Sequence, residues 1–271
     1  MKKLQRWGVI LFALVLIAAL GYRGLKNVVF DATETVSTRQ PVLAIVIDDF
    51  GGADNHGVAE LLALNKPITV AVMPNLVHSV EQSKEAYKRG HEVILHQPME
   101  PLRGKAYWLG PGAIKSSMSQ EEIKKTFTEN LKTVPHARGF NNHTGSKITS
   151  SKEKVTPMLE IAKSKGLYVL DSRTSQHSQI IPVARSMQVP WIKRDIFLDN
   201  IKSKGHIKKQ IMKACEVAKK QGYAVAIGHV GQGGRVTASA VKEAIPLIEK
   251  EGVKLVPLSE IVKLKNGNGK V

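Results

Sequence analysis

Short, unbroken apolar runs alternate along this chain with longer stretches in which apolar positions recur every three or four residues. Residues 42–47, 68–72, 92–95, 137–140, 167–170, 189–192, 196–198, 224–228 and 253–256 read as strands. Their near-continuous apolar character predicts strands buried on both faces, as in a parallel sheet. Helical spacing covers residues 58–64, 80–89 and 204–221, the last with Ile207, Ile211, Cys215 and Ala218 on one face. Ser119 and Glu122 form a capping box ahead of Ile123, Phe127 and Leu131, and Ser150 with Glu153 suggests another ahead of Val155, Leu159 and Ala162. A further helix starts near Ala238. Pro98 and Pro101 predict a break into a long loop, and residues 263–271 predict a loose tail. Regular strand–helix alternation without a repeat predicts one α/β domain over residues 41–262.

Composition narrows the setting. At 42% hydrophobic residues in 271, the chain can bury a core and is not broadly disordered. The single Cys215 excludes an internal disulfide and a cysteine-rich metal cluster. A formal charge of +17 calls for a polyanionic partner. Lys2, Lys3 and Arg6 precede an uncharged run over residues 7–22, the pattern of a signal anchor or signal peptide (1–22), with a polar linker over 23–40. Export argues for an extracytoplasmic location, membrane-anchored or secreted. It favours an anionic cell-wall polymer or a membrane surface over nucleic acid as the partner.

The chemistry sits where strands stop. Asp48 and Asp49 end the first strand, His96 follows the third, and His143, Asp171 and His229 end later ones. Parallel strands end on one face of their sheet, so residues scattered in sequence can converge there. One carboxylate and two imidazoles suit a divalent ion, zinc foremost. A second carboxylate can take a proton from water and an unligated histidine can protonate a leaving group, which together is metal-assisted hydrolysis. A metal-dependent phosphoesterase would use the same parts. Gly231-Gln232-Gly233-Gly234 lacks a phosphate-loop signature and reads as a flexible active-site loop.

Ile47-Asp48-Asp49 resembles the Thr-Phe-Asp-Asp motif of polysaccharide deacetylases, and Gly90-His91-Glu92-Val93-Ile94-Leu95-His96 resembles the segment leading to that family's metal histidines. With His96-Gln97-Pro98-Met99-Glu100-Pro101, Asn142-His143-Thr144-Gly145-Ser146, Asp171-Ser172 and Ile227-Gly228-His229, the set resembles the divergent polysaccharide deacetylase family. The resemblance implies a distorted (β/α) barrel of about seven parallel strands, here preceded by an N-terminal hydrophobic helix. It implies Asp48 as catalytic base, Asp49 and His96 as metal ligands, His229 as general acid and Asp171 as the carboxylate orienting it. The main family's second ligand histidine corresponds here to Glu100; His143 is assigned to the vacancy, with Glu100 as the alternative. The implied substrate is an acetylated polysaccharide. A catalytically silent carbohydrate-binding protein on the same scaffold is the competing reading.

Overall fold

The computed structural model describes residues 40–104 and 109–267. The expected N-terminal hydrophobic segment lies outside them, and no helix among the described residues is long and apolar enough to cross a membrane. The strands are β1 (Val42–Phe50), β2 (Thr69–Val72), β3 (Glu92–Met99), β4 (Ala137–Thr144), β5 (Tyr168–Asp171), β6 (Trp191–Lys193), β7 (Ile196–Phe197), β8 (Tyr223–His229) and β9 (Lys254–Leu255). The helices are α1 (Val58–Leu62), α2 (Ser79–Lys88), α3 (Gln120–Lys132), α4 (Ser146–Thr149), α5 (Lys152–Ser164), α6 (Ile180–Ser186), α7 (Lys204–Gln221), α8 (Gly234–Lys250) and α9 (Leu258–Asn266).

All pairings are parallel, in the order β6-β5-β4-β3-β2-β1-β8-β7, with β9 also beside β1. The two ends of that path, β6 and β7, are separated only by Arg194 and Asp195. So short a connection spans at most about 10 Å, so the sheet must curl until its edges meet. The junction is hydrogen-bonded to both sides: Arg194 N donates to Asp171 O at the end of β5, and Asp195 N donates to Val225 O in β8. One kinked strand thus closes a distorted (β/α) barrel. With the kinked β6–β7 counted as one strand, the barrel has the expected seven, and β9 is additional.

Alternation along the strands separates two cores. Leu43, Ile45 and Ile47 face the surrounding helices with Phe127, Phe140 and Ile211. Val42, Ala44, Val46, Ala71, Ile94, Leu170, Ile192, Val225 and Ile227 fill the barrel interior. Leu258, Ile261 and Val262 of α9 join this inner cluster and plug the end where strands begin. Glu92 pins the plug: its carboxylate accepts from Ser259 N (3.1 Å), Thr69 Oγ1 and Tyr168 Oη, and Leu258 N donates to Thr69 Oγ1. A carboxylate at a helix N-terminus also meets the positive end of the helix dipole. The chain over Lys263–Asn266 is therefore helical, not the expected loose tail.

Three further expectations change. β3 runs through Pro98, because β2 stops pairing at Leu95. Pro98 O accepts from Ile114 N, so the missing N–H falls on the side β2 has vacated. Ser151, not Ser150, caps α5, accepting from Lys154 N. The glycine-rich segment is packed rather than flexible: a Cβ on Gly57 would lie 2.4 Å from Gly234 O, and one on Gly234 2.1 Å from His56 O. Only glycines let the two backbones approach so closely.

His91 locks the entry to β2. Its Nε2–H donates to Leu62 O (3.1 Å) and its Nδ1 accepts from Ile68 N (3.4 Å). The bond from Ile68 N needs the neutral ring, and burial lowers its pKa below 6.5 despite the Leu62 carbonyl. A lowered folded pKa gives stability that is present above the unfolded value and lost as pH falls through the folded one. His91→Asn should therefore destabilise the fold by about 1–3 kcal/mol at neutral pH, with the gap from wild type closing as pH drops below 6.5. Urea midpoints at several pH values check this; a gap that widens on acidification refutes it.

Candidate metal centre and active site

Consecutive residues of a strand face opposite sides, yet Asp48 and Asp49 both reach one site. β1 achieves this with a bulge. Ile47 pairs with Val70 and Phe50 with Val72, so β1 holds an extra residue against β2, while on its other side β1 stays in register through Asp48↔His229. Asp49 takes up the distortion in the left-handed region (φ 70), a conformation uncommon outside glycine. Bulges commonly re-aim side chains beside active sites.

Asp49 Oδ1 lies 3.3 Å from His96 Nε2 and 3.1 Å from His143 Nδ1, and the two nitrogens are 3.1 Å apart. His96 stands in β3 and His143 in β4, and Asn141 and Pro98 link them by register: His96↔Asn141 and Pro98↔His143. Asn141 also bridges the site. Its Oδ1 accepts from His96 Nδ1 (2.7 Å), and its Nδ2 donates to Asp48 Oδ1 (2.9 Å) and Ser172 Oγ (3.2 Å). The first bond places the His96 proton on Nδ1, leaving Nε2 to face Asp49 and His143.

Across the mouth, His229 Nδ1 donates to Asp199 Oδ1 (2.9 Å). Asp199 Oδ2 accepts from His229 N, Thr237 Oγ1 and Lys202 Nζ. The Asp199 side chain is fully buried and every bond is charge-assisted, so the imidazole is held firmly with Nε2 left for proton exchange.

A model of the divergent polysaccharide deacetylase family matches residues 45–262. The chain belongs to that family. It is 37% identical over 187 residues to the uncharacterized protein YibQ of Escherichia coli K12, an alignment covering 69% of this chain and 58% of that protein. An uncharacterized protein from Agrobacterium tumefaciens C58 shares the fold, with a TM-score of 0.75 at 18% identity over 83% of this chain and 90% of the other. The Xyl-CE4 domain of a xylanase from the Trinervitermes trinervoides hindgut metagenome aligns with a TM-score of 0.50 at 12% identity, covering 84% and 92%. At these identities the solved structures establish a common fold.

The donor set in this divergent deacetylase-family chain suits a divalent ion. Asp49, His96 and His143 form a cluster able to hold a metal. Three ligands about 2.1 Å from a tetrahedral ion stand roughly 3.4 Å apart, close to the separations above. Asp49 Oδ1 is buried and lacks a well-formed hydrogen bond although two imidazole nitrogens stand 3.1 and 3.3 Å away. A buried carboxylate oxygen in that state calls for a cation.

The environments set the three acids apart. Burial raises the Asp48 pKa above the usual carboxylate range, against the pull of His96 and His229. Burial also opposes ionisation of Asp49, but His143 and His96 overcome it and hold Asp49 well below that range. Asp199 is likewise penalised by burial, yet the bonds from His229 and Lys202 bring it to about 2. For His229 burial disfavours the imidazolium, and Asp199, Asp48 and Asp49 outweigh it, so its pKa is raised. His96 follows the same balance, reaching about 9, with Asp48 and Asp49 outweighing burial.

Asp48, Asp49, His96, His143 and His229 therefore meet at one rim. One expectation does not hold, and one alternative falls away. Asp171 does not orient His229; it accepts from Arg173 N (2.8 Å). Asp199 does that work instead. Glu100 stands apart from the cluster, its carboxylate bonded to Lys147 Nζ (2.6 Å) and Ser116 N (2.6 Å), which bring its pKa to about 2. Asp199 was marked in the sequence by the same signal as the others, an acid directly after an apolar run. Asn141 carried none, because its role rests on bonds to His96 and Asp48, far away in the sequence.

Two measurements probe these supports. Asn141→Leu should weaken zinc affinity about 10- to 100-fold, read by chelator competition, as for other groups that orient metal-bound histidines; unchanged affinity would show that His96 needs no such support. Asp199→Asn should lower the His229 pKa, followed by NMR of its ring protons, because the variant removes the charge that holds it up.

Proposed function

We propose that this chain is a metal-dependent hydrolase that removes acetyl groups from an N- or O-acetylated cell-envelope polysaccharide, outside the cytoplasm. The observation carrying the reading is one rim that joins the Asp49–His96–His143 triangle, a buried acid with a raised pKa and a histidine held by its own carboxylate. Family membership supports the substrate class. Zinc is the ion best matched by two imidazoles and one carboxylate. Residues 1–22 would anchor the chain or direct its export, and the unpaired surface lysines would favour an anionic wall polymer or membrane surface.

A divalent ion held by Asp49, His96 and His143 supplies electrophilic activation of the acyl carbonyl and of water. Asp48 acts as base. Asn141 occupies its Oδ1, and Oδ2, 3.7 Å from His96 Nε2, is left to take the proton as water attacks the acetyl carbon. A raised pKa makes Asp48 a better proton acceptor than an exposed carboxylate. His229 Nε2 then protonates the departing nitrogen or oxygen of the sugar as its bond to the acyl carbon breaks. Asp199 steadies the imidazolium before the transfer and the correct tautomer after it. Acetate and the deacetylated sugar leave, and the proton on Asp48 returns to His229 through solvent.

Metal content and acetate release from acetylated glycans test the assignment together. Asp49→Ala should lose both metal and activity. His229→Ala should keep the metal and lose activity by about 10²- to 10⁴-fold, the usual worth of a general acid. Unchanged turnover in both variants would sink the proposal. Bound metal without acetate release from any N- or O-acetylated glycan would instead indicate a carbohydrate-binding protein on this barrel.

A further inference from the structure

The barrel seam carries a cation that the proposed chemistry does not use. Arg194 is the first residue of the two-residue junction between β6 and β7. Its Nε donates to Ser172 O (2.8 Å) and its Nη2 to Arg173 O (3.4 Å). Its guanidinium carbon lies 5.1 Å from the centre of the Phe197 ring, which is itself 5.0 Å from the His229 ring. On the other side, Ser172 Oγ accepts from Asn141, which holds Asp48. The guanidinium is thus lodged between the supports of the base and the ring of the acid.

The Arg194 guanidinium feels the charges of Asp171, Asp48 and Asp195 without making direct contact with any of them. Among the described residues it forms no ion pair, and Nη1 meets no acceptor. The nearby carboxylates have other partners: Asp171 accepts from Arg173 N, and Asp195 accepts from Val225 N (2.9 Å). A second cation, Arg173, is exposed on the adjoining turn, and its backbone is held in the left-handed region (φ 54) that non-glycine residues rarely adopt. Strain of this kind persists where the surroundings impose it and is concentrated at functional sites. Burial and the charge of Arg173 lower the Arg194 pKa, against the pull of Asp171, Asp48 and Asp195. A planar guanidinium stacked on an aromatic ring, with free N–H groups, matches a carboxylate in fork geometry.

We propose that Arg194 and Arg173 form an anion subsite beside the metal centre, and that the substrate is an acidic glycan with a carboxylate on the acetylated sugar or on its neighbour. This rests on the deacetylase reading for the substrate being a glycan, and on the geometry above for the acid. A clasp role, with Arg194 merely holding β5 to β7, would affect stability without discriminating between ligands.

The test measures binding of two probes to the zinc-loaded full chain, a hyaluronan tetrasaccharide (acidic, N-acetylated) and chitotetraose (neutral, N-acetylated), with acetate release followed in parallel. At low salt the acidic probe should bind about tenfold more tightly, the worth of one charge-assisted contact, and the preference should shrink as salt is raised. Arg194→Gln should bring the ratio of the two affinities toward one, and Arg194→Lys should retain part of it. Melting temperatures identify any variant that fails to fold, in which case Arg173→Gln, on the exposed turn, carries the same comparison. Equal binding of the two probes, binding of neither, or a preference intact in the Arg194→Gln/Arg173→Gln double variant overturns the subsite. Preference without acetate release would overturn the deacetylase reading alone, and acetate release without preference would overturn the subsite alone.

Discussion

Two adjacent carboxylates on a buried strand cannot both face the same way unless the strand is broken. If β1 were regular, one of Asp48 and Asp49 would point between the sheet and its helices, where an unpaired charge costs several kcal/mol. The bulge removes that conflict. Its cost is a left-handed Asp49, about 1–3 kcal/mol for a residue of this kind, which is smaller than the charge it avoids burying. The expense is shared around the rim: Asn75, Thr144 and Arg173 also adopt positive φ just where β2, β4 and β5 end. The lower end of the barrel is held by ordinary means, Glu92 against the start of α9 and His91 against the loop into β2.

With the positions fixed, identical side-chain chemistry is driven to different ends by its neighbours. Asp48 is buried against an amide and is raised; Asp49 faces two imidazoles and is lowered; Asp199 gathers a histidine, a threonine and a lysine and reaches about 2. Separating the proton affinities of neighbouring acids in this way is how one site assigns a base, a ligand and a support. Asn141 connects the roles, since a shift of that amide would disturb the His96 tautomer and Asp48 together.

The strands and the residues at their ends were legible in the sequence because an apolar run that stops at a charge can only stop at a rim. The 18 residues of α7 were equally plain from their apolar stripe. What could not be read depends on partners far away in sequence. The strand through Pro98 requires knowing that β2 has already ended. The cap at Ser151 instead of Ser150 turns on backbone angles. Helix α9 buries only Leu258, Ile261 and Val262, too few to distinguish it from a tail until the barrel interior they fill is seen. Asp199 follows a strand only two residues long, a weak signal beside the Asp171-Ser172 segment on which the family resemblance places the orienting carboxylate.

The central place of β1 has a consequence for synthesis. Its first neighbour, β2, follows within a short helix and loop, but β8 arrives about 180 residues later. Until then one edge of β1 is bare, and Asp48 has no His229 beside it. Pairing over such a separation is slow, because loop closure must come before any contact repays it. The site is therefore assembled last, by the strand that brings His229 alongside Asp48. A nascent chain halted before that point would carry both acids and both metal-facing imidazoles, and no reactive centre.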